Sequence, residues 1–307
     1  MEEIHHHNHH HHAHVHEVKS LSGIFILSIV LNAAFVIVEA AVGLWQNSLS
    51  LLSDAGHNLS DVFSLLLVLI SFRLAAVHAS KRFTYGLRKS TVLISLLNAI
   101  ILLVAVGAII IESIHKFAEP AEVNGVAVSW TAFIGIIVNG ATAMLLMRGQ
   151  KSDINVRGAF LHMAADTLVS IGVVVSGLII TYTGWNIIDP IVSLIIAVVI
   201  LVSTWQLLAE SLRLSLDGTP DGIDPEHIMA EMEACQHVTN VHHMHIWAMS
   251  TTTNALTAHV VIDSISEMEA TKAALKALLK NEGIAHSTLE IETSDSICAD
   301  HDMQYGN

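Results

Sequence analysis

The chain has 307 residues, of which 52% are apolar and only 14% charged, with a mean hydropathy of +0.58 and a formal net charge of −14. Its apolar residues gather into runs too long for the core of a soluble protein of this size, which argues against a soluble enzyme. From 209 onward there are 16 acidic against 4 basic residues, a balance of −12 that argues against nucleic acid and suits a domain attracting cations.

Residues 1–17 read MEEIHHHNHHHHAHVHE, with nine histidines. Such a tract cannot pack a core and is expected to be a disordered cytoplasmic tail that collects metal loosely. It is interrupted as purification tags seldom are. Six windows able to cross a bilayer follow, near 20–42, 50–72, 91–114, 127–147, 158–181 and 187–208. The first is longer than the apolar core of a signal peptide and lacks a convincing cleavage site. Lysine and arginine set the orientation. The 72–90 connection holds Arg73, Lys81, Arg82, Arg88 and Lys89, and the 148–157 connection holds Arg148, Lys151 and Arg157. On the opposite side only Lys116 appears, so 13 of the 14 basic residues fall on one side. By the positive-inside rule that side, with both termini, is cytoplasmic. The expectation is a six-helix transmembrane domain over 18–210 in a lipid bilayer, followed by a cytoplasmic α/β domain over 211–307 with a flexible end.

Two spans open on a matching pattern: LSLLSDAGHNLSD at 49–61 and GAFLHMAADTLVS at 158–170. Each places a histidine four residues before an aspartate, His57 with Asp61 and His162 with Asp166. On a helix that spacing is about 400° of rotation, so each pair shares a face about one turn apart. Ionisable groups inside transmembrane helices are costly, and they face partners or a watery path. Two facing pairs would offer two imidazoles and two carboxylates, a suitable shell for tetrahedral zinc. Histidine, with a reference pKa of about 6.5, also exchanges metal for a proton in the physiological range.

Around this centre, Glu39 either reaches solvent at the outer end of its span or borders the transport cavity. Asp54, three residues before His57, is read as an entrance or supporting carboxylate in preference to a direct ligand. Asn98 and Asn139 need partners inside the bundle, and Asn139 is a candidate for the cavity. Gly107, Gly135, Gly140, Gly172 and Gly177 permit close helix approach. The basic 72–90 connection is read by default as a headgroup anchor, with His78 a candidate for an accessory metal site.

Past 208, LDGTPDGIDPEH is rich in Gly, Pro and Asp and marks the boundary to the soluble domain. There the pattern predicts a helix at 224–236, strands at 241–248 and 256–262, a helix at 267–280 and a strand at 286–292, compatible with a split β-α-β layout. His242, His259 and His286 fall on the three strands or their ends. They could converge as metal ligands or be ordinary polar-face residues. His243, His245 and Glu292 are further candidates. Cys235 and Cys298 have no close-spaced partner and, on a reducing side, are read as buried or idle thiols.

SLSLLSDAGHNLSD, RFTYGLRKSTVL, FLHMAADTLVS, TGWNIIDP, VHHMHIW and AHSTLEIE, in this order, resemble the cation diffusion facilitators over essentially the full length, and most of all their bacterial zinc and cadmium exporters. The resemblance implies a homodimer in the bacterial inner membrane, a ferredoxin-like cytoplasmic domain, and exchange of outgoing metal for incoming protons. It places the transport site on His57, Asp61, His162 and Asp166 and cytoplasmic zinc sites on His242, His259 and His286. His243 stands where the family commonly has aspartate. The expected function is proton-coupled export of Zn²⁺, with Cd²⁺ and Co²⁺ also compatible with tetrahedral N/O ligation. Zinc would be both cargo and regulator. The alternative is a membrane zinc sensor or store that binds metal without moving it.

Overall fold

The computed structural model describes residues 12–45, 49–118, 125–183, 188–296 and 298. They form α1 (His12–Trp45), α2 (Leu49–Ala75), α3 (Ser90–Ala118), α4 (Gly125–Leu146), α5 (Ile154–Thr183), α6 (Ile188–Ser215), α7 (Pro225–Glu233), β1 (Val238–Ser250), β2 (Thr253–Ile262), α8 (Met268–Asn281) and β3 (Ile284–Thr293). The chain divides into two compact units. One contains residues up to Val77 together with Ile94–Leu208, and the other contains His78–Leu93 and everything from Ala209 onward.

Each apolar window coincides, over its described residues and to within one residue, with one long helix. Among the described residues, Gly23–Val42, Ser90–His115 and Ala197–Ser215 are long and apolar enough to cross a membrane, whereas Phe133–Leu146 is apolar but shorter. The windows in α2 and α5 are diluted by polar residues turned inward, among them Asn58, Asp61 and Ser64 in α2 and His162 in α5. Helix α1 begins at His12, so residues 12–17, expected to be disordered, are helical; they extend a helix already nucleated by the apolar run behind them. The rest of the tail lies outside the described residues.

The distribution of side chains in this unit is inverted relative to a soluble bundle. Val30, Ile37, Val104, Met144 and Val202 are exposed, while Asn32, Glu39, Asp61, Asn98 and Asn139 are buried. Lipid would satisfy the first set, and the second must find partners inside the bundle. Four helices share one apolar cluster: Phe25 from α1, Leu65, Val68 and Phe72 from α2, Ala143 and Leu146 from α4, and Val156, Ala159 and Met163 from α5. Phe25 meets Phe72 edge-on at 5.6 Å. A second cluster joins Val106 of α3, Ala165 of α5, and Ala197 and Ile200 of α6. The expected close approach at glycine holds at Gly140, where a Cβ would meet Thr167 at 3.6 Å; at Gly107 nothing lies within 4 Å.

In the second unit the order is α7-β1-β2-α8-β3, close to the predicted boundaries. Asp224 caps α7, accepting from the amides of Glu226 (3.0 Å) and His227 (3.4 Å), with Pro225 at the first helical position. β1 pairs antiparallel with β2, and β2 pairs parallel with β3. A β-α-β-β-α-β ferredoxin-like layout has one more strand before its first helix, and among the described residues that strand is absent. Leu256, Ala258, Val260 and Ile262 alternate along β2 and pack with Ile228, Met232, Leu275 and Leu279 of the two helices. The odd positions of β2, His259 among them, therefore belong to the opposite sheet face.

The 78–93 segment is tied into this unit by Lys89. Its Nζ donates to the carbonyl oxygens of Leu214 (2.7 Å) and Ala248 (3.0 Å) and pairs with Asp217 at 2.6 Å. Thr91 accepts from the amide of Thr251 at 3.0 Å. The basic connection is thus not only a surface for headgroups, because one of its cations serves as an internal strut.

Candidate metal centres

The first centre lies where α2 meets α5. Asp61, one turn before Leu65, and His162, beside Met163, are held by side chains that belong to the four-helix apolar cluster. Asp61 is fully buried and His162 is 5% exposed. The imidazole Nε2 of His162 lies 2.5 Å from Asp61 Oδ1 and 3.6 Å from Asp166 Oδ2. Asp166 follows His162 by four residues, so helix geometry alone places these two on one face. One donor atom from each of Asp61, His162 and Asp166 falls within 4.8 Å of the others. The arrangement offers one nitrogen and two carboxylate oxygens from facing helices. Two carboxylates at this depth are expensive unless positive charge, from a proton or a divalent cation, is shared among them.

His57 is one turn before Asp61 in α2, and Asp54 a further three residues back; both side chains lie outside the described residues. Glu39 is 3% exposed, which overturns the reading that it reaches solvent at the end of its span. Its Oε2 accepts from Asn58 Nδ2 at 2.8 Å, linking α1 to α2 one turn before Asp61. Asn32 Nδ2 bridges α1 to α4 through Thr142 Oγ1 at 3.0 Å. Asn139 is buried on α4 without joining the three converging groups, and its side-chain carbonyl has no hydrogen-bond partner among the described residues.

The second centre belongs to the sheet. The antiparallel register sets His242 directly opposite His259, and the parallel register sets Glu290 beside His259. Between His242 and His245 the β1–β2 pairing is interrupted, and His243 takes φ +47°, a bulge that turns consecutive histidines to one side. The rings of His242, His243 and His259 lie 5.2–5.3 Å apart. Glu292 is 8% exposed, with Oε1 at 2.8 Å from His259 Nδ1 and Oε2 at 3.4 Å from His242 Nε2. Cys298 Sγ, beyond the end of β3, is 3.6 Å from His259 Nδ1. His242, His259, Glu292 and Cys298 all present a donor atom within 4.8 Å of one another.

His286 does not join them. It pairs with Ala255, four residues along β2 from His259, or about 13 Å at strand rise, and stands exposed and edge-on to Tyr85 at 5.6 Å. His245 lines a separate pocket of about 480 Å³ with Asp217, Gly218, Thr219, Ile246 and Trp247. His78 is exposed and outside both clusters. In sequence Glu292 is only a further candidate and Cys298 reads as a buried or idle thiol. The alternation of Glu290 and Glu292 on one strand was a readable hint for the first, but no local spacing marks the second. The other thiol, Cys235, fits the idle reading better. Burial, and secondarily the nearby Glu231 carboxylate, push its pKa above the ordinary thiol value.

The transmembrane-domain model of cation efflux proteins matches residues 25–214, and the model of their cytoplasmic domain matches residues 220–294. The cadmium, cobalt and zinc/H⁺-K⁺ antiporter of Bacillus subtilis is 34% identical over 285 residues, covering 91% of this chain and 92% of that protein. The zinc transporter ZitB of Pectobacterium atrosepticum is 33% identical over 294 residues, covering 94% and 92%. The metal cation efflux system protein CzcD of Cupriavidus metallidurans is 32% identical over 276 residues, covering 89% and 87%.

Proposed function

The chain belongs to the cation efflux family, within its bacterial zinc and cadmium exporters, and on that premise we propose that it carries Zn²⁺ out of the cytoplasm in exchange for protons. The protein is an integral membrane metal transporter and not an enzyme. The observation that carries the finer reading is the convergence of Asp61, His162 and Asp166 from two facing helices, with the first two almost wholly buried. A mixed nitrogen and oxygen shell suits zinc and tolerates cadmium or cobalt, whereas an all-oxygen shell would lean towards manganese or magnesium. His57, from its place one turn before Asp61, supplies the fourth donor in this reading. Glu39 and Asn58 hold the approach to it from α1, with Asp54 and Asn139 at its margins.

The contact between His162 and Asp61 supports the exchange. Cargo zinc takes the imidazole nitrogen and the carboxylate oxygens as ligands. Once zinc leaves towards the outside, the same nitrogen and oxygen share a proton, which keeps the buried carboxylates from standing uncompensated. The Bacillus relative's name as an antiporter involving H⁺ supports this coupling. In the same reading six spans over 18–210 carry transport, both termini face the cytoplasm of an inner-membrane protein, and the tail over 1–17 gathers metal. The domain over 211–307 assembles two copies into a homodimer and binds regulatory zinc through the His242 and His259 cluster.

Purified protein in proteoliposomes should move zinc while an internal pH indicator reports protons moving the opposite way. Zinc flux indifferent to an imposed pH gradient would remove the coupling. Stoichiometric zinc binding with no flux would transfer the protein to the sensor or storage class.

A further inference from the structure

We propose that the cytoplasmic cluster is a four-donor site with one sulfur ligand, in which Cys298 joins His242, His259 and Glu292 around a soft divalent cation and thereby fastens the chain beyond β3 to the sheet. This deepens the regulatory-metal reading above and rests on it. The distances already approach those of a tetrahedral shell. With bonds of about 2.0–2.3 Å, neighbouring ligand atoms in such a shell sit about 3.3–3.6 Å apart. Cys298 Sγ to His259 Nδ1 is 3.6 Å and His242 Nε2 to Glu292 Oε2 is 3.4 Å, so those pairs need almost no movement. The His259 Nδ1 to Glu292 Oε1 contact, at 2.8 Å, opens by roughly half an ångström where Oε1 is the ligating oxygen, and the remaining donor pairs, all within 4.8 Å, draw together.

Two further observations point to a metal and not to a casual polar patch. Each candidate histidine turns one nitrogen to the cluster and the other to an oxygen. His259 Nε2 faces Glu290 Oε2 at 3.5 Å, and His242 Nδ1 faces Asn240 Oδ1 at 3.1 Å. Outer oxygens of this kind orient ligating imidazoles. In addition, the ring of His243 packs against both, and its buried Nε2 has no hydrogen-bond partner among the described residues. The donor set also balances charge: two neutral imidazoles, one carboxylate and one thiolate around a divalent ion, with the thiol proton released to water as the metal–sulfur bond forms. A thiolate biases the site towards zinc and cadmium. The transmembrane centre has no sulfur among its described donors, so the two centres differ in softness.

The test uses the full-length protein in detergent with Co²⁺, Cd²⁺ and Zn²⁺ as probes. Co²⁺ should give a sulfur-to-metal charge-transfer band, which Cys298→Ser abolishes and Cys235→Ser leaves intact. Cys298→Ser should weaken Cd²⁺ binding by at least the roughly 10–100-fold that loss of an outer-shell partner costs, and Zn²⁺ binding by less. Zn²⁺ should shield Cys298, not Cys235, from alkylation, while Cys298→Ser still transports zinc. Absence of the band in the wild type, its survival in Cys298→Ser, or equal alkylation of Cys298 with and without Zn²⁺ overturns the proposal. Glu292→Gln separates the two levels. If it lowers bound metal by one per chain while Cys298→Ser changes nothing, a cytoplasmic site exists without sulfur. If neither changes the count, the regulatory site itself is wrong.

Discussion

The two candidate centres gather mixed donors on different secondary structure. In the helical centre, His162 and Asp166 come from a single turn, and Asp61 is matched to them by the packing of α2 on α5. Its two inner residues are sealed, Asp61 fully buried and the side chain of His162 6% exposed, with Asp166 at the margin at 14%. In the sheet centre no two of the four donors are neighbours on one strand. The side chains of His242 and His259 are 25% and 13% exposed, and one donor lies on the segment after the last strand. A sealed site with little slack suits cargo that must be stripped of water, whereas an open-rimmed site can fill and empty with cytoplasmic metal without gating.

That contrast can be broken most decisively at Asp61. Asp61→Asn keeps the size of the side chain and removes its charge, and should lower zinc flux in proteoliposomes at least about 100-fold, the factor corresponding to roughly 3 kcal/mol of lost ligation. Near-wild-type flux in correctly inserted Asp61→Asn, Asp166→Asn protein would end the assignment of the helical centre to cargo. The sheet centre should respond differently. His242→Ala with His259→Ala should remove the zinc dependence of activation and about one bound metal per chain, yet leave flux at saturating zinc within roughly threefold of wild type, as expected for a site that biases but does not carry. Loss of all flux in that variant would erase the distinction between the two centres.

Smaller effects sharpen the comparison. Lys89→Ala removes three contacts inside the second unit, but the Lys89–Asp217 pair is about a third exposed on the lysine side and more on the other. The cost should be about 1–2 kcal/mol, most of it from the two carbonyl bonds, read as a few degrees in the melting temperature of that unit. The smallest effect concerns Cys235. Its raised pKa means little thiolate at neutral pH, so its alkylation should accelerate only as pH rises above the ordinary thiol range. Rapid modification of Cys235 at pH 7 would contradict the raised pKa of its thiol.

Much of this protein was decided by short-range pattern. The pairing of His162 with Asp166 needs only the pitch of one helix, and the split of 13 basic residues to one side needs only their positions between apolar runs. The alternation in β2, and the Asp-Pro start of α7, are equally local. Tertiary structure decided which of these local features meet. Asp61 and His162 are 101 residues apart, and only the packing of α2 on α5 brings them together. His286 looked equivalent to His242 and His259, but the parallel β2–β3 register carries it four residues away and puts Glu292 near the pair instead. Cys298 lies 39 residues from His259 and has no motif of its own. Periodicity reports which face a residue shares with its near neighbours; it holds no information on strand register, bulges or the path of the chain after the last strand, and those placed the sulfur.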